Sequence, residues 1–207
     1  MAVTSLTDGA TRAPAESPPA RVLAATIACI ARWGLAKTTL DDIAREAGLS
    51  RATVYRLFPG GKDTVVRAAV AAEVEAVGDE LAARTEHFDD IDDVLVAIIT
   101  YATDVLRGHP ALQYLLTHEP DQVLPHLAFG NLDVVLAAAT AVGEPMLQPY
   151  VGAGDAASTA EWVARIVLSY ALSPSEWFDL ANEDDARRFT ATFLLPGLLS
   201  RKASIDG

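Results

Sequence analysis

Between Thr38 and Lys62 the chain reads TTLDDIAREAGLSRATVYRLFPGGK, and this stretch leaves few folds open. Thr39 can cap a helix by accepting a bond from a backbone N–H that has no partner within the helix. Asp42, three residues on, can return the bond and also suits the positive end of the helix dipole. Leu40, Ile43, Ala44 and Ala47 recur at helical spacing and form one apolar stripe. Gly48 stands where the chain must turn sharply, which a positive φ makes easiest. Leu49 can plug the angle between two helices, and Ser50 is a second N-cap. Arg51 to Phe58 form the next helix, with Val54, Leu57 and Phe58 for its buried side. The small Ala44 lets the two helices cross closely. This is the pattern of a helix-turn-helix, whose second helix enters the major groove of DNA.

The face left over after the apolar residues are buried carries Arg51, Thr53, Tyr55 and Arg56, with Ser50 and Ala52 completing the presented segment. Thr39 and Lys62 flank it. Lys62 stands near the start of a further helix, where the dipole disfavours a cation by about 0.3–1 kcal/mol. A phosphate seated on that helix end would reverse the sign. These eight residues are the candidate contacts to double-stranded DNA. Arg51 and Thr53 are expected to read bases, and Tyr55, Lys62 and Thr39 to hold phosphates.

Over about Arg21 to Val70 the residues resemble the TetR (tetracycline repressor) family of bacterial regulators: a first helix, then TTLDDIAREAGLSRATVYRLFPGGKD, then a long apolar helix. Two positions depart from the commoner family pattern. Many members carry histidine where this chain has Leu57, and Gly60-Gly61 lengthens the linker before Lys62 by one residue. The resemblance implies an all-α protein. Residues 1–20, rich in Ala, Thr, Ser and Pro, read by composition as a disordered arm; the resemblance makes 21–67 the helix-turn-helix domain and 68–207 a larger helical domain for ligand binding and dimerisation. It also implies that the last two long helices pair with their copies in a four-helix bundle. Trp162, Ile166, Tyr170, Phe193 and Leu194 recur there at helical spacing as candidate interface residues.

The net charge of −12 weighs against nucleic acid until its distribution is read. From Arg21 to Lys62 there are seven basic residues against three acids, a net of +4; from Ala71 to Gly207 there are seven against twenty-two, a net of −15. A basic head on an acidic body can meet DNA in one orientation and be repelled in others. No uncharged apolar run approaches the length of a membrane span, and the N-terminus has no signal-peptide pattern, so a soluble cytoplasmic protein is expected. The single cysteine, Cys29, lies among alanine and isoleucine and reads as a small buried hydrophobe.

Pro14, Pro18 and Pro19 argue against a regular helix in the first twenty residues. Arg21 to Trp33 is expected as the first helix, with Leu23, Ile27, Ile30 and Gly34 as its stripe and Gly34 as its C-cap. Asp63 to about Arg84 reads as one long helix with Val66, Val70, Val74, Val77 and Leu81 down a single face, linking head to body. Further helices are expected near Ile91–Arg107, Ala111–Thr117, Pro120–Leu127, Leu132–Tyr150, Asp155–Leu172 and Asp184–Leu199.

Polar-tipped or aromatic side chains within the apolar body helices mark a candidate effector pocket: Tyr101, Gln113, Tyr114 and Phe129. Such a pocket suits a small hydrophobic or amphipathic molecule. His118, Glu119, Asp121 and His126 cluster in sequence, but across two prolines and without zinc-type spacing, so they read as polar residues at helix ends. No nucleophile elbow, phosphate-cradling glycine loop or nucleophile–base grouping is present, and neither a catalytic site nor a cofactor or metal is expected. The leading reading is a dimeric, ligand-relieved repressor on a palindromic operator. An all-α carrier that uses its first helices only for packing is the alternative, and it has no need of Arg51, Tyr55, Arg56 and Lys62 together.

Overall fold

The computed structural model describes residues 17–127 and 132–198, without the side chains of 125–127, and all its regular structure is helical. In order come α1 (Pro18–Trp33), α2 (Leu40–Glu46), α3 (Arg51–Leu57), α4 (Lys62–Thr85) and α5 (Ile91–Gly108). They are followed by α6 (Pro110–His118), α7 (Pro120–Leu127), α8 (Leu132–Val151), α9 (Ala153–Leu172) and α10 (Glu183–Phe189). A π turn over Thr190–Leu194 comes directly after α10, and the chain returns to α-helix over 195–198.

The expected arm ends earlier than its composition suggests. Ser17 caps α1 by accepting from Ala20 N, and Pro18 and Pro19 occupy the first two helical positions. Proline is welcome there because its missing N–H would have had no helical partner and its φ is already helical. The buried side of α1 also differs from the expected stripe: Val22, Ala25, Thr26, Cys29 and Ile30 face inward, while Leu23 and Ile27 are only half-buried.

Two apolar clusters form. One joins Val22, Ala25, Cys29, Ile43, Ala44, Ala47, Val54 and Val65 from α1 to α4. The other gathers α5, α8, α9, α10 and the loop before α10 around Leu95, Ile99, Leu147, Val163, Val167, Leu180 and Phe189. The helix α4 serves both, giving Val65 to the first and Leu81 to the second. Its single valine face does not exist: Val65, Ala69, Leu81 and Thr85 are buried, whereas Val70 and Val74 are exposed. A helix covered by α1 at its start and by α5 and α8 farther on has no reason to bury one straight stripe.

In the body, α8 and α9 form a close antiparallel hairpin turned at Gly152, whose φ is +80°. Their crossing is tight enough that a Cβ on Gly143 would lie 3.1 Å from the Ala160 methyl. Arg187 of α10 ties to Asp93 at 2.8 Å and Asp92 at 3.3 Å at the start of α5, and Arg107 at its other end pairs with Asp179. The bonds to Asp93 and to Glu183, with the charge of Asp92 adding, raise the Arg187 pKa, and the Arg107 bond lowers that of Asp179.

Candidate nucleic-acid interface

The helix-turn-helix is built from local bonds. Thr39 N donates to Asp42 Oδ2 at 3.1 Å and Asp42 N donates to Thr39 Oγ1 at 3.2 Å, a reciprocal capping box. The Thr39 hydroxyl also donates to Asp42 Oδ2 at 2.6 Å, and Arg45 bonds the other carboxylate oxygen. The Thr39 bonds and the nearby Arg45 charge lower the Asp42 pKa. At the turn Gly48 has φ +63°, and Leu49 N reaches back to Ala44 O at 2.9 Å. Ser50 Oγ then caps α3 by accepting from Thr53 N at 3.1 Å.

Beyond α3's buried Val54, the residues Arg51, Ala52, Tyr55 and Arg56 are all exposed, and Thr53 is half-buried. Thr53 Oγ1 lies 2.9 Å from Ser50 Oγ, so cap and side chain share a bond. Arg51 Nη1 pairs with Asp41 Oδ2 at 3.0 Å. Lys62, at the first position of α4, donates from Nζ to Leu35 O at 3.0 Å, in the loop between α1 and α2. Burial raises the Cys29 thiol pKa, with Glu46 and Asp42 adding to it, in keeping with a buried hydrophobe in the head's core.

Two residues that shape this head carry no sign of that role in the sequence. Arg21 Nη2 donates to Ala47 O and to Gly48 O at 3.3 Å, pinning the turn from the start of α1. Glu119, just past α6, accepts from Leu35 N at 2.9 Å and Ala36 N at 3.1 Å. Partners separated by tens of residues leave no local spacing to read.

The candidate effector residues have separate engagements. Tyr101 lies under the Arg84 guanidinium, 4.4 Å from its ring centroid, and Gln113 Nε2 donates to Leu106 O at 3.0 Å. Tyr114 stacks on His118 at the contact with the head, and Phe129 falls outside the described residues. An open groove of about 690 Å³ runs instead between α4 and α8, with Glu75, Asp79 and Glu86 on one side and Val142, Met146 and Tyr150 on the other.

The candidate interface residues divide. Trp162 is 57% exposed and Phe193 54%, while Ile166 and Tyr170 are half-buried against the body cluster. Leu194, only 6% exposed, belongs to the protomer's own core, because the π turn sends it inward and its neighbour outward. Trp177 is 81% exposed in the loop before α10, where no helical period marks it in the sequence. Among the described residues no helix is long and apolar enough to cross a membrane.

Residues 22–69 match the family model described as bacterial regulatory proteins, tetR family. An uncharacterized HTH-type transcriptional regulator of Mycobacterium bovis is 31% identical over 157 residues, 72% of this chain and 77% of the relative. Another from Mycobacterium tuberculosis is 28% identical over 160 residues, covering 76% and 73%. Among solved structures, the TetR family repressor AlkX from Dietzia, implicated in biodegradation of n-alkanes, superimposes with TM-score 0.64 at 25% identity over 89% of this chain and 96% of its own. The fold is shared by the regulator FadR from Bacillus subtilis in complex with stearoyl-CoA, with TM-score 0.59 at 14% identity over 84% and 97% of the two chains. A basic head with a capped, outward-facing second helix and these relatives lead to one assignment: the chain belongs to the TetR family of bacterial regulatory proteins and is a DNA-binding transcriptional regulator.

Proposed function

We propose that this protein is a dimeric repressor that holds a palindromic operator through α3 of each protomer and releases it when an apolar molecule occupies the body. The observation that carries the reading is the outward face of α3, where Arg51, Ala52, Tyr55 and Arg56 are exposed on a head of net charge +4. Arg51 and Thr53 reach bases, while Tyr55, Arg56, Lys62 and Thr39 lie against phosphates, with Ser50 and Ala52 at the groove. Two such heads related by a two-fold axis place their recognition helices in successive major grooves, about 34–36 Å apart. Exposed Trp162 and Phe193 supply apolar area for the dimer, with Ile166 and Tyr170 beside them.

Release works through α4, which starts in the head cluster and ends in the body cluster. An effector that favours a tilted α4 alters the separation of the two heads and spoils their simultaneous fit. A coupling of about 1–3 kcal/mol corresponds to roughly 5–150-fold in operator affinity, and linkage requires the operator to weaken effector binding by the same factor. AlkX is implicated in biodegradation of n-alkanes and FadR is seen in complex with stearoyl-CoA, which supports a hydrophobic or amphipathic effector with a hydrocarbon chain for this protein.

The test begins by selecting a duplex from a random pool with the full chain. Fluorescence anisotropy then screens long-chain alkanes, fatty acids and acyl-CoAs for release. A compound that releases the duplex is titrated by calorimetry with and without saturating DNA. Selection of no sequence above background sinks the DNA reading; equal effector affinities in the two titrations sink the release mechanism.

A further inference from the structure

We propose that Glu119 is a positioning residue for DNA binding: its carboxylate, at the end of α6, grips the α1–α2 loop and sets the pose of the head on the body. Glu119 lies at the C-terminal cap of α6, half-buried, and its carboxylate reaches the α1–α2 loop of the head. Oε2 accepts from two successive backbone donors, Leu35 N at 2.9 Å and Ala36 N at 3.1 Å. These amides lie just past the end of α1, which is closed by the bond from Gly34 N to Ile30 O at 2.8 Å. A carboxylate on two convergent amides makes charge-assisted bonds, stronger than neutral ones.

The same peptide is held from its other side. Leu35 O accepts from Lys62 Nζ at 3.0 Å, and Lys62 is the first residue of α4. Glu119, Leu35 and Lys62 therefore form a continuous polar chain from the α6–α7 turn to the start of α4. Gly34 makes the approach possible in two ways. Its φ is +84°, and a Cβ there would collide with the Glu119 carboxylate and stand 2.8 Å from the Tyr114 ring. Tyr114 in turn stacks on His118 with centroids 4.4 Å apart, stiffening the end of α6 that presents Glu119.

None of these atoms belongs to the head's apolar cluster, which lies among α1 to α4 around Val22, Ile43 and Val54. Loss of the Glu119 carboxylate leaves that cluster intact and frees the head to pivot. A pivoting head still fits one half-site. Two pivoting heads lose the fixed spacing that makes binding to a palindrome better than binding to its halves. The inference rests on the dimeric-repressor reading for its DNA arm only.

The test compares Glu119→Ala and Glu119→Gln with the parent full chain. Hydrogen exchange resolved at Leu35 and Ala36 needs no DNA: both amides should exchange at least about tenfold faster in Glu119→Ala, with the thermal midpoint nearly unchanged. Affinity is then measured for the selected palindrome and for a duplex carrying one half-site. Glu119→Ala should lose about tenfold on the palindrome, inside the usual range for a coupling between two sites, and under about twofold on the half-site. Glu119→Gln keeps an acceptor oxygen and should fall between Glu119→Ala and the parent on the palindrome. Unchanged exchange at both amides, an equal loss on both duplexes, or parental affinity for the palindrome overturns the proposal. A parent that selects no duplex refutes the DNA reading instead and leaves the exchange experiment to decide the grip.

Discussion

Arg51 Nη1 and Asp41 Oδ2 stand 3.0 Å apart, joining the first residue of α3 to the first turn of α2, with their side chains 65% and 59% exposed. An exposed pair of this kind contributes little to stability, on the order of 0–1 kcal/mol. It holds the guanidinium beside the exposed side of α3, and on the proposed reading the carboxylate gives it up when a base edge takes its place.

Arg51→Ala is expected to relax specificity at one position in each half-site, at a cost of about 1–3 kcal/mol if the contact is bidentate. Asp41→Asn should act in the opposite direction, strengthening binding to every duplex by removing a negative charge beside the phosphates. Anisotropy titrations against the selected site and its single-base variants measure both. If Arg51→Ala discriminates among those variants as sharply as the parent, the base-reading role is wrong.

Lys62 spends one of its three donors on Leu35 O and has two left for a phosphate. Lys62→Ala should weaken binding to all sequences and reduce the slope of log affinity against log salt by about 0.9, the value for one neutralised phosphate. A weakened variant with the parent's slope would assign Lys62 to the loop alone.

Thr39→Ala removes a capping box and should destabilise the head by about 0.5–2 kcal/mol. The partner carboxyl adds a pH signature. The Thr39 bonds hold the folded Asp42 pKa below the ordinary aspartate value. Its stabilisation is therefore complete above that ordinary value, about 3.9, and is lost as pH falls through the lower folded one. Asp42→Asn should melt below the parent at neutral pH, with the gap closing in acid beneath the ordinary carboxylate range. A gap independent of pH would show that the ionised carboxylate is not what the cap uses.

Phe193 and Leu194 are neighbours with opposite exposures and should respond oppositely to substitution. Phe193→Asp is expected to leave a folded protomer that sediments as a monomer at micromolar concentration. Leu194→Ala should instead cost about 2–5 kcal/mol of stability, the usual range for emptying a buried leucine site. Dimers of the Phe193 variant as tight as those of the parent would move the interface elsewhere.

What the chain states locally, the structure repeats. The Thr39–Asp42 box, the turn at Gly48 and the Ser50 cap depend on bonds spanning three to five residues, so residue type and spacing were enough to write the helix-turn-helix. Even Pro18 and Pro19 obey a local rule, that of the first helical turn, where their presence opens α1 instead of excluding it. Features whose partners are remote belong to the packed molecule alone. The buried side of α4 changes with the neighbour that covers it, which no single period encodes. The π turn over Thr190–Leu194 admits an extra residue and rotates the rest of the helix by about 100°, so helical spacing could not tell Phe193 from Leu194. Glu119 looks like a polar helix end because its partners, Leu35 and Ala36, lie more than eighty residues earlier, and only the packing of α6 on α1 brings carboxylate and amides together.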